Sequence, residues 1–210
     1  WPQWRGPNRD NVSVETSLLK EWPDGGPPLE WRVDGIGDGV ASVSIADSRI
    51  YTVGYQDLFE YAIALDQRTG ALIWARPIGR ALQESRLMRW LTQRSPTIDN
   101  DRFYVMRADG DLVCLQATDG NELWRKSYPK DFGTGRPPWG YCDYPLVDGD
   151  HLICCPGGDK AGIAALNKFN GKVLWQTKLV GINRGIYGAI TVAEFGGVRQ
   201  YIVFDINGIV

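Results

Sequence analysis

Three segments of the chain share one pattern at a nearly constant spacing, and this repetition constrains the fold more than any other feature. The segments are ALDQRTGALIW (64–74), CLQATDGNELW (114–124) and ALNKFNGKVLW (165–175). Their glycines lie 50 and then 51 residues apart. Such a period is typical of repeat architectures, in which each unit buries its apolar face by stacking on its neighbours. The repeated positions are Gly70, Trp74, Gly120, Trp124, Gly171 and Trp175.

Each copy of this pattern predicts two strands joined by a tight turn, and a second hairpin precedes it. Short apolar runs bounded by polar turn residues are typical of strands, and glycine in the turn suits a positive φ. The upstream hairpins are VSIADSRIYTV (43–53), SPTIDNDRFYVM (95–106) and YPLVDGDHLICC (144–155), with Asp47, Asp99 and Asp148 in register. Two hairpins per period give a four-stranded unit, which is the size of one propeller blade.

These units resemble the pyrroloquinoline quinone (PQQ) type β-propeller repeat with its tryptophan-docking motif, A-x-D-x-x-T-G-x-x-x-W. The first copy matches in full, and the resemblance covers about residues 31–210. The other copies depart from the motif at Cys114, Gln116, Asp119, Asn167 and Asn170. The resemblance implies an all-β fold, a β-propeller of four-stranded antiparallel blades. It also implies that the tryptophan of one blade packs against the next blade.

The spacing predicts a partial propeller of about three complete blades plus edge strands. We expect an N-terminal arm at residues 1–28 and a partial propeller at 29–210. Leu29–Val33 is predicted to be a lone outer strand. Residues 78–93 are predicted to be an insert that packs over the propeller as a loop, with a short helix compatible with its pattern; a lid or partner surface is the alternative. A usual propeller has 4–8 blades, so we expect the chain to belong to a longer protein. The predicted blades lie at about 40–77, 94–128 and 142–179, with the first hairpin of a fourth at 187–205.

The opening WPQWRGPNRDNVS is similar to the start of exported BamB-like or quinoprotein-like PQQ-repeat proteins. This resemblance implies a location in the periplasm or associated with the cell envelope, and protein partners. The arm carries Trp1 and Trp4, which we expect to pack against the propeller; a partner-docking arm is the alternative. An incomplete ring also leaves strand edges unpaired, which predicts possible self-association.

Composition excludes several classes of function. The net charge is −2 and the pI about 5.5, which argues against nucleic-acid binding, since that requires a basic surface. No apolar run is long enough for a transmembrane helix. The single histidine leaves almost no possibility of a Ser-His-Asp triad.

The resemblance to quinoproteins also implies a possible PQQ site with Ca²⁺ in the loops at one face of the propeller. A planar polyanionic quinone needs an aromatic floor, arginines and a cation held by oxygen ligands. No catalytic residue follows from the pattern, because the Asp base of the quinoprotein dehydrogenases matches no position here. Asp109-Gly110-Asp111 and Asp148-Gly149-Asp150 are predicted to be turns, so no metal ligand is assigned. The candidate cofactor residues are Trp90, Arg94, Trp139, Tyr141, Asn183 and Arg184.

The four cysteines allow more than one arrangement. Cys154 and Cys155 are predicted to face opposite sides of a strand as small buried residues. A vicinal disulfide between them, as in alcohol-oxidising PQQ enzymes, is one alternative, and a disulfide from Cys142 to either of them is another. Their spacing, with Cys114, does not match a zinc site.

Two functions follow from the family resemblance. The first is a non-enzymatic, exported, BamB-like propeller that acts as a scaffold or protein-binding module without a cofactor. The second is a quinoprotein dehydrogenase that oxidises alcohols or sugars with PQQ and Ca²⁺. The sequence contains the residue types of a cofactor shell but not its pattern, so it favours the scaffold.

Overall fold

The computed structural model describes residues 1–82, 94–158, 160–179, 181, 184–205 and 208–210. This part of the chain is almost entirely β-structure, with one turn of π-helix at Tyr128–Phe132. No helix within it is long and apolar enough to cross a membrane. The strands are β1 (Ser44–Ala46), β2 (Arg49–Gln56), β3 (Phe59–Asp66), β4 (Leu72–Arg80), β5 (Thr97–Asp99), β6 (Arg102–Met106), β7 (Asp111–Gln116), β8 (Glu122–Ser127), β9 (Leu146–Asp148), β10 (His151–Cys154), β11 (Ile163–Asn167), β12 (Val173–Thr177), β13 (Thr191–Phe195), β14 (Val198–Ile202), β15 (Phe204–Asp205) and β16 (Gly208–Ile209).

Three four-stranded antiparallel sheets follow one another along the chain, each with its strands in sequence order. They comprise β1–β4, β5–β8 and β9–β12, and the hairpin β13–β14 comes next. Tight turns join the strands, and Asp47 and Ser48 take positive φ values of 49° and 58° in the first of these turns. The predicted all-β fold with four-stranded antiparallel blades is therefore confirmed, whereas the limits of arm, propeller and blades stay a prediction.

The first strand of each sheet lies innermost. Strand β5 contacts both β1 and β9, its counterparts in the neighbouring sheets. Side-chain hydroxyls tie these strands together: Ser44 Oγ donates to the Pro96 carbonyl at 2.6 Å, and Thr97 Oγ1 to the Pro145 carbonyl at 2.9 Å. The fourth strands, β4, β8 and β12, are the opposite edges of the sheets and carry mostly exposed residues.

A tryptophan on the fourth strand of the first sheet packs on the second sheet. The indole N–H of Trp74 donates to the Ala117 carbonyl at 3.0 Å, and the Tyr51 hydroxyl reaches the same oxygen at 3.4 Å. The Trp74 ring lies over Gly120, which has a φ of 77°; a Cβ atom there would be 2.7 Å from the ring. Glycine therefore provides both the turn conformation and the space for the ring.

The same arrangement recurs between the second and third sheets. The indole N–H of Trp124 and the hydroxyl of Tyr104 both donate to the Lys168 carbonyl, each at 3.1 Å. The Trp124 ring lies over Gly171, where a Cβ atom would be 2.7 Å away. Trp175 has no corresponding glycine among the described residues and is exposed, with its ring centroid 5.9 Å from that of Tyr201.

A β-bulge precedes each of these tryptophans. In the pairing of the third strand with the fourth, the register shifts at Ala64/Leu65, Cys114/Leu115 and Ala165/Leu166. One residue of the fourth strand is left unpaired each time, directly before the tryptophan. A bulge of this kind re-aims the side chains beside it. The unpaired residues are Ile73, Leu123 and Leu174, and all three are exposed.

The predicted strand at Leu29–Val33 is wrong, because these residues belong to no strand and pair with none of the described sheets. Trp31 nevertheless lies over Gly70, where a Cβ atom would be 2.7 Å from its ring. Trp31 thus makes the contact on the first sheet that Trp74 makes on the second. The sequence contains this signal, since LEWRV resembles the Trp-bearing ends of the three repeats.

The insert predicted at 78–93 begins too early, since β4 continues to Arg80. Pairing with the long strand β3 extends β4, and Arg80 lies opposite Phe59. The predicted short helix of this insert falls mainly on residues 83–93, which lie outside the described residues. The hairpin expected at 187–205 is present as β13–β14, and the additional pair β15–β16 was not predicted.

We predict that Trp124→Ala lowers the free energy of unfolding by about 3–5 kcal/mol, the usual cost of removing a large buried aromatic side chain. The change also removes the hydrogen bond to the Lys168 carbonyl. Urea denaturation followed by fluorescence measures the effect. The matched control is Trp139→Ala, because Trp139 is half exposed; similar losses for both variants would contradict the inter-sheet role of Trp124.

Candidate functional site

Loops from different repeats meet on one face of the sheets. The Tyr141 amide donates to the Ala108 carbonyl at 3.0 Å, so the loop that leaves the second sheet packs on the β6–β7 turn. Thr134 Oγ1 donates to the Pro156 carbonyl at 2.8 Å, which joins the same loop to the third sheet. This is the face on which the sequence predicts a cofactor site.

Some of the predicted cofactor residues come together on this face. Arg94 is buried, and its Nη2 atom lies 3.5 Å from the Trp139 carbonyl. The Trp139 amide donates to the Tyr187 hydroxyl at 2.9 Å, and the Trp139 side chain is half exposed. Trp90 and Asn183 lie outside the described residues. The cofactor-binding role of the group stays a prediction.

The other two predicted residues are placed differently. Tyr141 is 1% exposed, donates its hydroxyl to the Thr134 carbonyl at 3.0 Å and packs edge-on against Tyr128. Its ring is part of the core and offers no open face to a planar ligand. Arg184 is exposed, and its backbone pairs with Gly135 in an isolated bridge.

A Ca²⁺ site is not preformed among the described residues of this face. The described ranges contain no group of three or more His, Cys, Asp or Glu side chains arranged to hold a metal ion. Two acidic residues at the β6–β7 turn, Asp109 and Asp111, are in ion pairs with Arg107 at 2.6 Å and 3.6 Å. The 107–111 segment forms a turn, as predicted, in which the Gly110 amide donates to the Arg107 carbonyl at 3.0 Å.

Arg107 is the centre of a buried ion network between the first two sheets. Its Nε donates to Glu60 at 2.9 Å and its Nη2 to the Arg80 carbonyl at 2.6 Å. The Arg107 and Glu60 side chains are 4% and 2% exposed. Gly79 makes room for the guanidinium group, since a Cβ atom there would lie 2.4 Å from it. Buried charges of this kind are tolerated only when paired and hydrogen-bonded, so the network fixes the relative position of the sheets.

We predict that Glu60→Gln lowers the free energy of unfolding by about 3 kcal/mol, at the low end for breaking a buried ion pair. The low end applies because Asp109 still compensates Arg107. Chemical denaturation measures the loss. Asp34→Asn is the control, because its ion pair with Arg32 is exposed and worth at most about 1 kcal/mol. Equal losses would show that the network contributes no more than a surface pair.

A second group of contacts lies along the inner strands, where the N-terminal segment is bound. Trp1 and Ile45 exchange two backbone hydrogen bonds of 3.2 Å and 2.9 Å. The Ile98 amide donates to the Pro2 carbonyl at 2.8 Å. The segment therefore covers the free edges of β1 and β5.

The two tryptophans of this segment pack on the protein itself. The Trp4 ring stacks on Tyr144 with centroids 4.9 Å apart and an interplanar angle of 19°. The Trp1 ring folds over Gly6, where a Cβ atom would be 2.9 Å away. The Trp4 ring thus holds the segment against the third repeat, whereas the Trp1 ring packs within the segment and is 45% exposed.

Arg9 anchors the end of this segment. Its side chain is buried, with Nη1 donating to the Ile190 carbonyl at 3.1 Å and Nη2 to the Pro145 carbonyl at 2.5 Å. The Nε atom donates to Gln3 Oε1 at 3.0 Å. Burial lowers the pKa of Arg9 to about 10, while the charge of Asp143 opposes this shift.

Asp143 is a buried carboxylate near Arg9. Its Oδ2 atom accepts hydrogen bonds from the Tyr128 hydroxyl at 2.5 Å and from the Cys155 amide at 2.8 Å. Burial raises the pKa of Asp143, and these hydrogen bonds and the Arg9 charge oppose the rise. Arg9 and Asp143 therefore compensate each other's charge in a region with little access to water.

All four cysteines lie in the described part of the chain and carry free thiols. Cys154 belongs to the core cluster that contains Trp124, whereas Cys155 belongs to the cluster that contains Ile153, so the two face opposite sides as predicted. Burial raises the pKa of both thiols, and the nearby Asp143 charge adds to the rise. Thiols in this state are poor nucleophiles.

The fold and the repeated tryptophan contacts define the class: a β-propeller built from four-stranded antiparallel blades. A sequence profile of the family described as outer membrane protein assembly factor BamB matches residues 58–192, which is more than half of the chain. The chain belongs to this BamB family.

Individual relatives agree with this assignment. Outer membrane protein assembly factor BamB of Marinobacter adhaerens is 28% identical over 155 residues, covering 73% of this chain and 32% of that protein. The chain thus spans about a third of the length of the curated relatives it matches.

Solved structures show the fold alone, because their sequences are distant. BamB from Moraxella catarrhalis has a TM-score of 0.52 at 20% identity, over 80% of this chain and 46% of that one. A europium-containing methanol dehydrogenase has a TM-score of 0.50 at 18% identity, over 70% and 26% of the two chains.

Sequence reasoning missed several residues of these sites. Tyr51 and Tyr104 occupy equivalent places in two repeats, so aligning the hairpins could have indicated them. Arg9 and Asp143 carry no such signal, because neither belongs to the repeated pattern and their proximity depends on the fold.

We predict that Asp143→Asn changes the pH dependence of stability in a defined direction. The folded pKa of Asp143 is raised, so its contribution is fully present below the unfolded pKa of about 3.9 and is lost as the pH rises through the folded pKa. The free energy of unfolding of the wild type, relative to the variant, should therefore fall with increasing pH. Urea denaturation of both proteins from pH 3 to pH 8 measures this difference.

The control for this experiment is Asp148→Asn, for which the sign is opposite. Hydrogen bonds from Arg199, at 2.8 Å, are the main cause that lowers the pKa of Asp148. Its contribution is present above the unfolded pKa and lost as the pH falls through the folded pKa. Slopes of the same sign for both variants would contradict the assigned environment of Asp143.

Proposed function

We propose that this chain is part of a non-enzymatic, protein-binding propeller that acts as a scaffold in the assembly of outer-membrane proteins. The observation that carries the proposal is the family match over residues 58–192. The relatives in this family are described as assembly factors for outer-membrane proteins. A scaffold needs a stable shape and an exposed recognition surface, and it needs no catalytic group.

The outer rim is the surface that suits this role. We define the outer rim as the bulge residues Ile73, Leu123 and Leu174 with their exposed neighbours Leu72 and Val173. Repetition places one such apolar group on each blade, and their exposed fractions lie between 38% and 62%. Exposed apolar side chains that recur at the same edge of successive blades could each contact one part of an extended partner. The partner we propose is a polypeptide with alternating apolar residues, the pattern of outer-membrane β-strands.

We also propose a cellular location for this protein and a surface through which two copies associate. The family match supports a place in the periplasm or at the cell envelope, where outer-membrane proteins are assembled. Two copies of the chain could also associate through the exposed face of β12, where Trp175 lies. The dehydrogenase alternative has no comparable support, since its relatives among solved structures share the fold at 18% identity.

We predict that the chain binds a ten-residue peptide of alternating apolar and polar residues with a micromolar dissociation constant, measured by isothermal titration calorimetry. Leu123→Lys should weaken this binding about tenfold or more, because it places a charge in the apolar rim; a tenfold loss corresponds to about 1.4 kcal/mol. The matched control is Val14→Lys, since Val14 is 87% exposed and distant from the rim in sequence.

Two results would contradict the proposal. The first is equal affinity for a peptide of scrambled order, and the second is binding that Leu123→Lys leaves unchanged. Titration of PQQ with Ca²⁺ into the same protein completes the experiment. Saturable binding of the quinone without binding of the peptide would favour the dehydrogenase.

A further inference from the structure

Residues 1–9 contact the inner edge of the three four-stranded sheets and the residue directly before β13. Inner strands are edge strands, whose backbone N–H and C=O groups need partners. The segment supplies these partners through the backbone of Trp1 and Pro2 and through the side chain of Arg9. The residues contacted on the repeats are Ile45, Ile98, Pro145 and Ile190.

The Arg9 side chain sits in a pocket that matches a guanidinium group. Two backbone carbonyls and one side-chain oxygen accept hydrogen bonds from its three nitrogens at 2.5–3.1 Å. The planar fork of arginine meets several acceptors at once, which the single ammonium group of lysine does not. The neighbouring carboxylate of Asp143 supplies the opposite charge, and Arg9 is only 3% exposed.

The chain that follows this segment has the properties of a tether. Residues 12–30 contain no strand or helix, and almost all of their side chains are exposed. Val14, Leu18 and Trp22 are among them, with exposed fractions of 65–87%. The bound segment is therefore joined to the sheets by a stretch that makes few contacts of its own, as a ligand is joined to its receptor by a linker.

We propose that the inner strands form a peptide-binding groove, that residues 1–9 are its intramolecular ligand, and that Arg9 is the anchor. The external ligand of this groove is an extended peptide that carries an arginine with an aromatic residue five positions before it, as Trp4 precedes Arg9. The ring of that residue takes the place of Trp4 on Tyr144. The groove lies on the inner strands and the proposed scaffold surface on the outer rim, so this inference does not depend on the proposed function.

The test is to convert the intramolecular ligand into a separate peptide. A specific protease site is inserted between Lys20 and Glu21, both exposed, and the folded full chain is cut there and diluted to release the fragment. A fluorescently labelled synthetic peptide of residues 1–11 is then titrated in and followed by anisotropy. Cutting removes the high effective concentration that the tether provides, so the affinity of a separate peptide becomes measurable. We expect saturable one-to-one binding of the original peptide. The Arg9→Ala and Arg9→Lys peptides should bind at least about tenfold more weakly, because neither can donate to all the acceptors of the guanidinium group.

Each result of this experiment either supports or overturns the proposed groove. Equal affinities of the original and Arg9→Ala peptides overturn the proposal, as does release of the fragment with no binding of either peptide. A fragment that stays bound through gel filtration is compared with the same fragment in the Arg9→Ala chain, where retention overturns the proposal and release supports it. A cut chain that unfolds should regain its circular dichroism spectrum with the original peptide only, and failure to regain it overturns the proposal.

The intact chain gives a second, independent measurement. Arg9→Ala leaves an empty guanidinium pocket, so millimolar methylguanidinium should raise its melting temperature, whereas methylammonium should not. Arg32→Ala is the control, because Arg32 is exposed and forms an exposed ion pair with the neighbouring Asp34. A similar response of both variants to both cations would overturn the assignment of Arg9 as the anchor.

Discussion

The contact between an indole ring and a glycine turn is the interaction on which the rest of this structure depends. The Trp74 and Trp124 rings each lie over the glycine of the next repeat, and each indole N–H donates to a carbonyl three residues before that glycine. The contact combines burial of a large aromatic surface with one directional hydrogen bond. Burial alone would let the sheets slide, whereas the hydrogen bond fixes their register.

The contact between indole and glycine also gives each sheet two different edges, an outer rim at the fourth strand and an inner edge at the first strand. The bulge that aims Trp124 at the next sheet leaves Leu123 exposed on the outer rim. At the opposite edge, the inner strands are brought so close that Ser44 and Thr97 bond to the adjacent repeats. The rim side chains therefore remain exposed, whereas the inner edge is covered by the chain's own first residues.

The repeated part of the structure could be predicted from the sequence, whereas the N-terminal segment and its contacts could not. The roles of Gly120 and Trp124 could be predicted because a glycine and a tryptophan recur at the same positions in all three copies of the motif. One copy alone would be a weak indication, but the three copies support one another. Leu29–Val33 was wrongly predicted as a strand because strand formation depends on a hydrogen-bonded neighbour, which a local pattern does not reveal. Arg9 and Asp143 could not be paired at all, since 134 positions separate them in the sequence and only the fold brings them together.

The buried Arg9 guanidinium and the buried Asp143 carboxylate lie where the N-terminal segment meets the third sheet. The Arg9 guanidinium would be costly to bury without Asp143, and Asp143 without Arg9, so the two residues stabilise the bound arm together. The same four-stranded blades can therefore be held at their inner edge by the protein's own peptide, which makes the arm part of the fold and its groove a recognition surface.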